Sequence, residues 1–310
     1  MTIHKLFLTF DVEDFVNVRS IEALFLILRL LKKYHVRALF FITGHVAERL
    51  SSFPQVLDLL GNHEIGYHSS SHSVRPNIFE YTDLESYQDA YLISLRRETS
   101  HINPLSGEIE GEGGIKTLRK LFCQKEIEAF RAPGFSWSPP HLEALRSLGF
   151  EYDFSTDLSN VPVFHKGTTF FPFPVLIDWK DSFNYYKDFF WFVLSREVSV
   201  LDFHPDLFVN QSYWDSFFPR NAPQKGRRQA MLLLLKLEFL LKTIQFLKKA
   251  KFVEITPKPN EAKIRLDTTR IDVENVLKRI FVAPVTQFNY RPKFLRRHIL
   301  QFFDILPTMH

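Results

Sequence analysis

Residues 5–14 read Lys5-Leu6-Phe7-Leu8-Thr9-Phe10-Asp11-Val12-Glu13-Asp14, an apolar run that ends in a cluster of acids. Residues 5–10 have the continuous apolar character of a buried parallel strand, and the acids lie where that strand would end. A helical apolar stripe over residues 21–34 and a second buried strand over residues 37–42 complete a strand–helix–strand unit. The stretch therefore predicts a parallel sheet covered by helices, with polar side chains gathered at its carboxyl edge.

The same alternation continues along the chain. We predict further strands over residues 64–67, 127–130, 150–154, 198–203 and 252–256, and helices over residues 45–60, 83–98, 139–148 and 227–249. Residues 103–114 contain four glycines and a proline and are predicted to form a loop. Parallel strands linked by helices indicate an α/β fold, either a barrel or an open sheet, with its site at the carboxyl edge.

Composition excludes several classes of protein. The chain has 310 residues, 45% of them apolar, which is enough for one barrel-sized core with or without appendages. The net charge of +4 is small and the basic residues are spread along the chain, so we expect no nucleic-acid partner. The single cysteine, Cys123, excludes an internal disulfide. Arg29 and Lys236 interrupt the longest apolar stretches, so no membrane span is predicted.

Both ends of the chain bear on its location. Residues 1–5 lead directly into the first strand pattern without the segments of a secretory signal, so we expect a cytoplasmic protein. Residues 286–310 mix basic and aromatic side chains, and two interpretations stay open for this tail. It forms a helix packed on the barrel, or it lies on the anionic inner membrane as a peripheral contact. No oligomeric state is predicted.

Five polar residues fall at or just after the ends of predicted strands: Asp11, His68, Arg131, Asp153 and His204. The carboxyl ends of parallel strands meet at one edge, so these side chains should share one rim. A second histidine, His72, follows His68 by four residues. Two imidazoles and one carboxylate form a facial set that binds a divalent metal and leaves positions open for water and substrate. The sequence therefore indicates metal-dependent hydrolysis.

Five short motifs carry a resemblance to a known family: Thr9-Phe10-Asp11 with its following acids, His68-x-x-x-His72, Arg131-Ala132-Pro133-Gly134, Tyr152-Asp153-Phe154-Ser155 and Leu201-Asp202-Phe203-His204. In this order they resemble the motifs of the polysaccharide deacetylases, also called the NodB-homology family or carbohydrate esterase family 4. The resemblance spans about residues 5–256 and implies a distorted, incomplete (β/α) barrel. We therefore expect a barrel over residues 1–258 and a C-terminal extension over residues 259–310.

The resemblance also implies a cofactor and a reaction. The cofactor is one divalent metal ion, most often zinc, although cobalt, nickel or iron can serve. The reaction removes an acyl group from the amide nitrogen of a sugar. The family's first motif has two adjacent aspartates, the second a metal ligand, whereas here Asp11 is followed by Val12, Glu13 and Asp14. We favour Asp14 as the ligand because it has the familiar residue type. Glu13 is the alternative because it shares a side with Asp11 if the strand continues, whereas Asp14 requires a bend.

The chemistry of amide hydrolysis suggests roles for the remaining rim residues. The reaction needs a base for water and an acid for the departing amine. Asp11 is the candidate base, which by analogy with the family is held in place by Arg131. His204 is the candidate acid, and Asp153 is the carboxylate expected to orient it. Asp202, two residues before His204 on the same strand, is the alternative for that orienting role.

Gly134 and Trp137 are the candidate substrate-binding residues. The resemblance implies that the backbone amide of Gly134 stabilises the oxyanion. Trp137 belongs to a set of aromatics that suit either stacking on a sugar or packing in a core, with Phe135, Trp179, Phe183, Tyr185 and Tyr186.

We expect the substrate to be an N-acetylated amino sugar of a glycan, a glycolipid or a sugar precursor. Two other functions stay open. The first is hydrolysis of small non-sugar amides such as allantoin or cyclic imides, and the second is noncatalytic glycan binding, which would tolerate loss of the base or the acid.

Overall fold

The protein is represented by a computed structural model. It describes residues 3–72, 84–102, 109–177, 193, 195–211, 223–282 and 293–305. Over these residues the chain forms a mixed α/β structure whose main sheet is curled into an incomplete barrel. The fold class expected from the sequence is confirmed.

The strands are β1 (His4–Val12), β2 (Leu39–Ile42), β3 (Glu64–Tyr67), β4 (Ser100–Ile102), β5 (Ile109–Glu112), β6 (Ala129–Phe130), β7 (Tyr152–Asp153), β8 (Val163–His165), β9 (Thr168–Phe170), β10 (Val175–Leu176), β11 (Val198–Phe203) and β12 (Val253–Ile255). The main sheet has the order β10-β11-β1-β2-β3-β6-β7-β9-β8, and β12 pairs with the start of β1. Its pairs are parallel except for β8 with β9. Among the described strands, β10 and β8 end the order without pairing with each other, so the barrel is open.

The helices are α1 (Val18–Lys33), α2 (Gly44–Leu50), α3 (Pro54–Leu60), α4 (Tyr87–Thr99), α5 (Gly114–Leu121), α6 (Pro139–Ser147), α7 (Arg227–Lys249), α8 (Val273–Val282) and α9 (Leu295–Phe302). The helix predicted over residues 45–60 is two helices, α2 and α3, because proline cannot donate a hydrogen bond inside a helix. Pro54 instead occupies the first turn of α3, where the missing donor costs nothing. None of the described helices has both the length and the apolar character needed to cross a bilayer.

Strand β1 separates two apolar layers. Leu6, Leu8 and Phe10 belong to the large core between the sheet and its helices. Phe7 points the other way, into a smaller cluster inside the curled sheet that includes Phe41 and Phe154. Successive side chains on a strand alternate between its faces, so every second residue after Phe7 continues on the inner side. This alternation places the side chains of Thr9, Asp11 and Glu13 inside the barrel, toward the carboxyl end of β1.

Two groups of strands differ from the sequence prediction, one in a separate two-stranded sheet and one in the main sheet. Residues 109–112, predicted as loop, form β5 and pair antiparallel with β4, while residues 103–108 lie outside the described part of the chain. Strands β8, β9 and β10 are only two or three residues long, too short to show a periodic pattern. The strands predicted over residues 64–67 and 198–203 have the predicted bounds.

The described part of the C-terminal extension packs on the barrel. The backbone of Phe164 in β8 bonds to Ile264 and Leu266. Helix α9 buries one face, and the adjacent Phe303 is fully buried as well. His165 contacts the carbonyl oxygen of Phe302 through Nε2 at 2.9 Å. Within residues 286–310, the described residues 293–305 thus bury Leu295, Ile299, Phe302 and Phe303 against protein, as expected for a packed helix, while Ile305 is exposed.

Candidate active site

Glu13, His68 and His72 form the centre of the candidate site. Glu13 follows β1 directly, and the two histidines lie in the loop that begins at the end of β3. Glu13 Oε2 lies 2.7 Å from His72 Nε2 and 3.5 Å from His68 Nε2. Two donor atoms bound to one tetrahedral zinc ion are about 3.4 Å apart. The three side chains therefore lie close enough to share one cation.

The loop after β3 has an unusual backbone. Ser69 and His72 have φ angles of 63° and 59°, in the left-handed region that non-glycine residues seldom adopt. The backbone N–H of His72 donates to Ser69 Oγ at 3.1 Å, which stabilises this conformation. Such backbone strain is concentrated at functional sites. Here it turns the chain so that His72 comes back to Glu13.

His68 has the hydrogen bonding of a metal-binding histidine. Its Nδ1 lies 2.8 Å from the carbonyl oxygen of Arg131, and because a carbonyl can only accept, Nδ1 carries the proton. Nε2 is therefore the nitrogen that can offer a lone pair to a cation, and it is buried with no hydrogen-bond partner among the described residues. A buried polar atom without a partner is costly unless a ligand binds it. Histidine ligands of metals are usually held through their other nitrogen in this way.

The donor set fits a divalent transition metal. Two imidazole nitrogens and one carboxylate oxygen suit zinc, cobalt, nickel or iron better than magnesium or calcium, which prefer oxygen ligands. Burial raises the pKa of Glu13, but the neighbouring imidazoles of His72 and His204 outweigh burial and hold that pKa below its ordinary value. Glu13 therefore stays ionised, as a ligand must be.

Asp14, which the sequence favoured as a metal ligand, hydrogen-bonds instead to residues at the start of α1. Its Oδ1 accepts from the backbone N–H groups of Val16 and Asn17 at 2.9 and 3.0 Å. Its Oδ2 accepts from Asn17 Nδ2 at 2.8 Å, from Ser20 Oγ at 2.5 Å and from Asn210 Nδ2 at 3.2 Å. The carboxylate thus organises the start of α1 and is already surrounded by donors. The structure places Glu13, our alternative, with the histidines instead, because the strand alternation continues past β1 without the bend that Asp14 would need.

Asp11 and Asp202 share the guanidinium of Arg131. Arg131 Nη1 donates to Asp11 Oδ1 at 2.7 Å and to Asp202 Oδ1 at 2.6 Å, while Nη2 donates to Thr9 Oγ1 at 2.9 Å. The parallel register pairs Thr9 with Asp202, which brings all these groups to one level of the barrel. Burial raises the pKa of Asp202, and Arg131 opposes that effect. Arg131 holds Asp11 so that its second oxygen, Oδ2, lies 3.6 Å from His68 Nε2.

His204 faces the same carboxylates from the end of β11. Its Nε2 lies 3.9 Å from Asp11 Oδ2 and 4.0 Å from Glu13 Oε2, and its Nδ1 lies 4.0 Å from Asp202 Oδ2. Burial lowers the pKa of His204, but the carboxylates of Asp202, Glu13 and Asp11 outweigh burial and raise the pKa to about 9. The imidazole is therefore protonated at neutral pH, the state required of an acid.

Comparison with known proteins matches part of the chain to a family. Residues 2–152, which reach from β1 to the first residue of β7, match the family model for polysaccharide deacetylases. The predicted resemblance to the polysaccharide deacetylases is confirmed over these residues. The match contains the candidate base and the three candidate metal ligands, whereas His204 lies beyond it. No curated protein matches the sequence.

Several solved structures are similar to this chain at low sequence identity. A Mycobacterium smegmatis protein assigned to the polysaccharide deacetylases is 16% identical, with a TM-score of 0.50 over 84% of this chain and 96% of that one. A 4-alpha-glucanotransferase from Thermococcus litoralis is also 16% identical, with a TM-score of 0.50 over 82% of this chain and 39% of that one. A CE4 family pseudoenzyme from Bacillus anthracis is 17% identical, with a TM-score of 0.41 over 78% of this chain and 61% of that one.

Asp153, which the sequence predicted to orient His204, is not among the carboxylates that face this imidazole. Its Oδ2 accepts from the backbone N–H groups of Ser155 and Thr156 at 3.1 and 3.0 Å, and its Oδ1 accepts from Ser155 Oγ at 2.8 Å. Ser155 Oγ in turn accepts from the backbone N–H of Ala132 at 2.7 Å. Asp153 therefore stabilises, through Ser155, the turn that follows Arg131. Asp202, the alternative, is the carboxylate that faces His204 Nδ1.

The two candidate substrate-binding residues have different surroundings. Gly134 has φ 54° and ψ 24°, a left-handed conformation that glycine adopts without strain, in the turn of residues 133–135. Trp137 is only 2% exposed and belongs to the large core, which leaves it little surface for a sugar. Phe135 is among the described aromatics nearer the site, with its ring centroid 5.8 Å from the Arg131 guanidinium. Trp179, Phe183, Tyr185 and Tyr186 lie outside the described residues.

Thr9 is a site residue that the sequence reasoning missed. Its hydroxyl donates to the carbonyl of Leu201 at 2.8 Å and accepts from Arg131. The two-residue spacing from Asp11 could have identified it, because residues two apart on a strand share one face.

Proposed function

We propose that this protein is a metal-dependent hydrolase that removes an N-acetyl group from an amino sugar. The match of residues 2–152 to the polysaccharide deacetylase model supports a carbohydrate deacetylase. The observation that carries the proposal is the position of Glu13, His68 and His72 directly beside a candidate base and a candidate acid. The substrate class we favour is an N-acetylated sugar in a glycan, a glycolipid or a sugar precursor.

Glu13, His68 and His72 would hold the metal, with zinc as the first choice. When bound there, the cation would lower the pKa of water and polarise the acetyl carbonyl. Glu13 supplies the negative charge that the site needs, and the proton on Nδ1 of His68 fixes which nitrogen faces the cation.

Asp11 acts as the base in this proposal. Its Oδ2 takes a proton from the attacking water while the water oxygen bonds to the acetyl carbon. Arg131 favours the ionised carboxylate and prevents it from rotating away, because its guanidinium donates to the other oxygen, Oδ1. The backbone N–H of Gly134 is proposed to stabilise the oxyanion.

His204 acts as the acid. Its imidazolium donates a proton to the sugar nitrogen as the bond between carbon and nitrogen breaks, which releases acetate and a free amine. Asp202 keeps the imidazole charged through its nearby carboxylate. The presence of both Asp11 and His204 at the site argues against a glycan-binding protein without activity.

The test is acetate release from N-acetylated nucleotide sugars, lipid-linked sugars and oligosaccharides, each measured with added zinc and with chelator. We expect acetate and a new amine in equal amounts from at least one sugar, and loss of both products with chelator. An Asp11→Asn variant should bind zinc as the unmodified chain does but release acetate at least about a hundredfold more slowly. Release from allantoin or cyclic imides but from no sugar would replace the substrate class, and no release from either would contradict the proposal.

A further inference from the structure

Helix α7 presents a stripe of large apolar side chains to solvent. Met231, Leu232, Leu235 and Phe246 are 56%, 54%, 54% and 69% exposed, and Phe239 lies on the same stripe at 56% exposed. The opposite face is buried in the core through Leu233, Leu237, Leu240, Leu241, Ile244 and Leu247. Side chains at these spacings fall on one face of an α-helix, so the exposed ones form a continuous surface. A contiguous apolar patch of this kind usually marks an interaction site.

The stripe is surrounded by positive charge. Helix α7 carries six basic residues and one acidic residue: Arg227, Arg228, Lys236, Lys242, Lys248 and Lys249 against Glu238. The charge of Glu238 is offset by Lys33, the last residue of α1, whose Nζ donates to Glu238 Oε1 at 2.6 Å. The hydroxyl of Tyr34 donates to the same oxygen at 2.6 Å. On helix α1, Leu26 is 41% exposed and lies two turns before Lys33, on the same face of that helix. The exposed stripe of α7 therefore lies within a basic surround, and Leu26 is a further exposed apolar side chain on α1.

We propose that the outward face of α7 is a peripheral binding surface for an anionic lipid membrane. Apolar side chains flanked by lysines and arginines can enter the boundary between lipid headgroups and acyl chains while the charges meet anionic headgroups. A second copy of the chain is a poorer partner, since pairing this face with itself would bring two sets of positive charges together. The described part of the C-terminal tail offers less apolar surface than α7, because Leu295, Ile299, Phe302 and Phe303 are buried and Ile305 is exposed by 37%.

The surface begins beside the rim of the candidate active site. Gly226 caps the start of α7, and the preceding residue, Lys225, donates from its backbone to the carbonyl of Val209. Asn210, the residue after Val209, donates to Asp14, which directly follows the candidate metal ligand Glu13 in the chain. Contact of α7 with a membrane would thus hold the rim close to the lipid surface. Together with the proposed function, on which this consequence rests, it favours a sugar carried on a lipid over a free sugar.

Vesicle flotation tests the lipid surface independently of enzyme activity. The full chain is mixed with vesicles of phosphatidylcholine alone or of phosphatidylcholine with phosphatidylglycerol. We expect flotation only with the anionic vesicles and a decrease with added salt. A Leu235→Ser, Phe246→Ser variant should bind at least about tenfold more weakly. A Lys242→Glu, Lys249→Glu variant should also bind at least about tenfold more weakly, since each basic residue contributes about fivefold.

The matched control removes equally exposed apolar side chains elsewhere. Leu92 and Ile264 are 50% and 54% exposed, so a Leu92→Ser, Ile264→Ser variant should float like the unmodified chain. All variants change surface residues, and their thermal unfolding verifies that they fold. Two flotation results would overturn the proposal: no flotation of the unmodified chain with anionic vesicles, or flotation of both α7 variants as strongly as the unmodified chain. A third contrary result would be an unmodified chain that binds no lipid and is a dimer in light scattering, with the Leu235→Ser, Phe246→Ser variant a monomer.

Discussion

Glu13 Oε2 lies 2.7 Å from Nε2 of His72, while the carboxylate of Asp14, one residue later, is enclosed by donors at the start of helix α1. The two neighbouring acids therefore have separate roles. Glu13 belongs to the candidate metal centre, and Asp14 stabilises the turn that leads from β1 into α1.

Asp14 should matter for stability rather than for metal binding. An Asp14→Asn variant replaces one accepting oxygen with an NH₂ group that faces Ser20 and Asn210, two hydrogen-bond donors in the structure. We expect the free energy of unfolding to fall by about 1–3 kcal/mol, measured by urea denaturation, with metal content unchanged. Loss of metal with unchanged stability would reverse the roles of Glu13 and Asp14.

His204 should set the alkaline limit of activity. As an acid it must be protonated, and its pKa is raised to about 9, so the rate should fall as the pH rises through about 9. Asp202→Asn removes a carboxylate that raises this pKa, so the falling limb should move to lower pH. Asp153→Asn is the matched control, because Asp153 bonds to Ser155 and Thr156 instead. The rate of each variant is measured as a function of pH. If the alkaline fall in rate moves in the Asp153→Asn variant and stays in place in the Asp202→Asn variant, the orienting role of Asp202 is refuted.

Arg131 should be required for both folding and catalysis. It is fully buried and donates to Asp11 and Asp202, which would otherwise repel each other. Removing one partner of a buried ion pair costs about 3–5 kcal/mol, so Arg131→Met should unfold at a much lower urea concentration. Arg131→Lys keeps the charge but cannot reach both carboxylates and Thr9 in the same geometry, so it should fold better and still lose most of its acetate release. Equal activity of Arg131→Lys and the unmodified chain would show that the guanidinium geometry is unimportant.

His63 should make stability depend on pH, away from the candidate site. Its side chain is 4% exposed and accepts from the backbone N–H of Ala38 at 3.2 Å. Burial, with smaller effects of Arg37 and Lys125, lowers the pKa of His63 from 6.5 to about 4. Because the unfolded chain takes up this proton first, the free energy of unfolding is highest above pH 6.5 and falls as the pH drops toward 4.

The size of that loss can be measured by substitution. The lowered pKa of His63 corresponds to roughly 3 kcal/mol between pH 6.5 and 4, which His63→Asn should remove while keeping an acceptor for Ala38. His35→Asn changes an exposed histidine and serves as the control in urea denaturation at several pH values. If the free energy of unfolding depends on pH in the same way for the His63→Asn variant and the unmodified chain, His63 is not a source of acid sensitivity.

The sequence predicts the framework of the site because strand ends are visible in it. The apolar runs before Asp11, His68 and His204 mark β1, β3 and β11, and parallel strands bring their carboxyl ends together. The third candidate ligand depends on whether the strand bends after Val12, which residue spacing leaves open. The structure continues the alternation and places Glu13 beside the two histidines.

Other features depend on contacts distant in sequence. Asp153 and Asp202 are both carboxylates on predicted strands. The structure shows that Asp202 faces His204, whereas Asp153 bonds to Ser155 and Thr156. The short strands β8, β9 and β10 have no periodic pattern of their own and form by pairing with neighbours. Such local structure is determined by tertiary context, which residue spacing does not contain.

Zinc titration of metal-free protein shows whether Glu13, and not Asp14, belongs to a metal site required for deacetylation. Acetate release from the best N-acetylated sugar is measured as zinc is added to the unmodified chain and to the Glu13→Gln and Asp14→Asn variants. We expect release by the unmodified chain and by Asp14→Asn to rise and saturate at about one zinc per chain, while Glu13→Gln fails to respond at that ratio. Full release by the metal-free chain, or recovery of Glu13→Gln at the same ratio, would contradict this expectation.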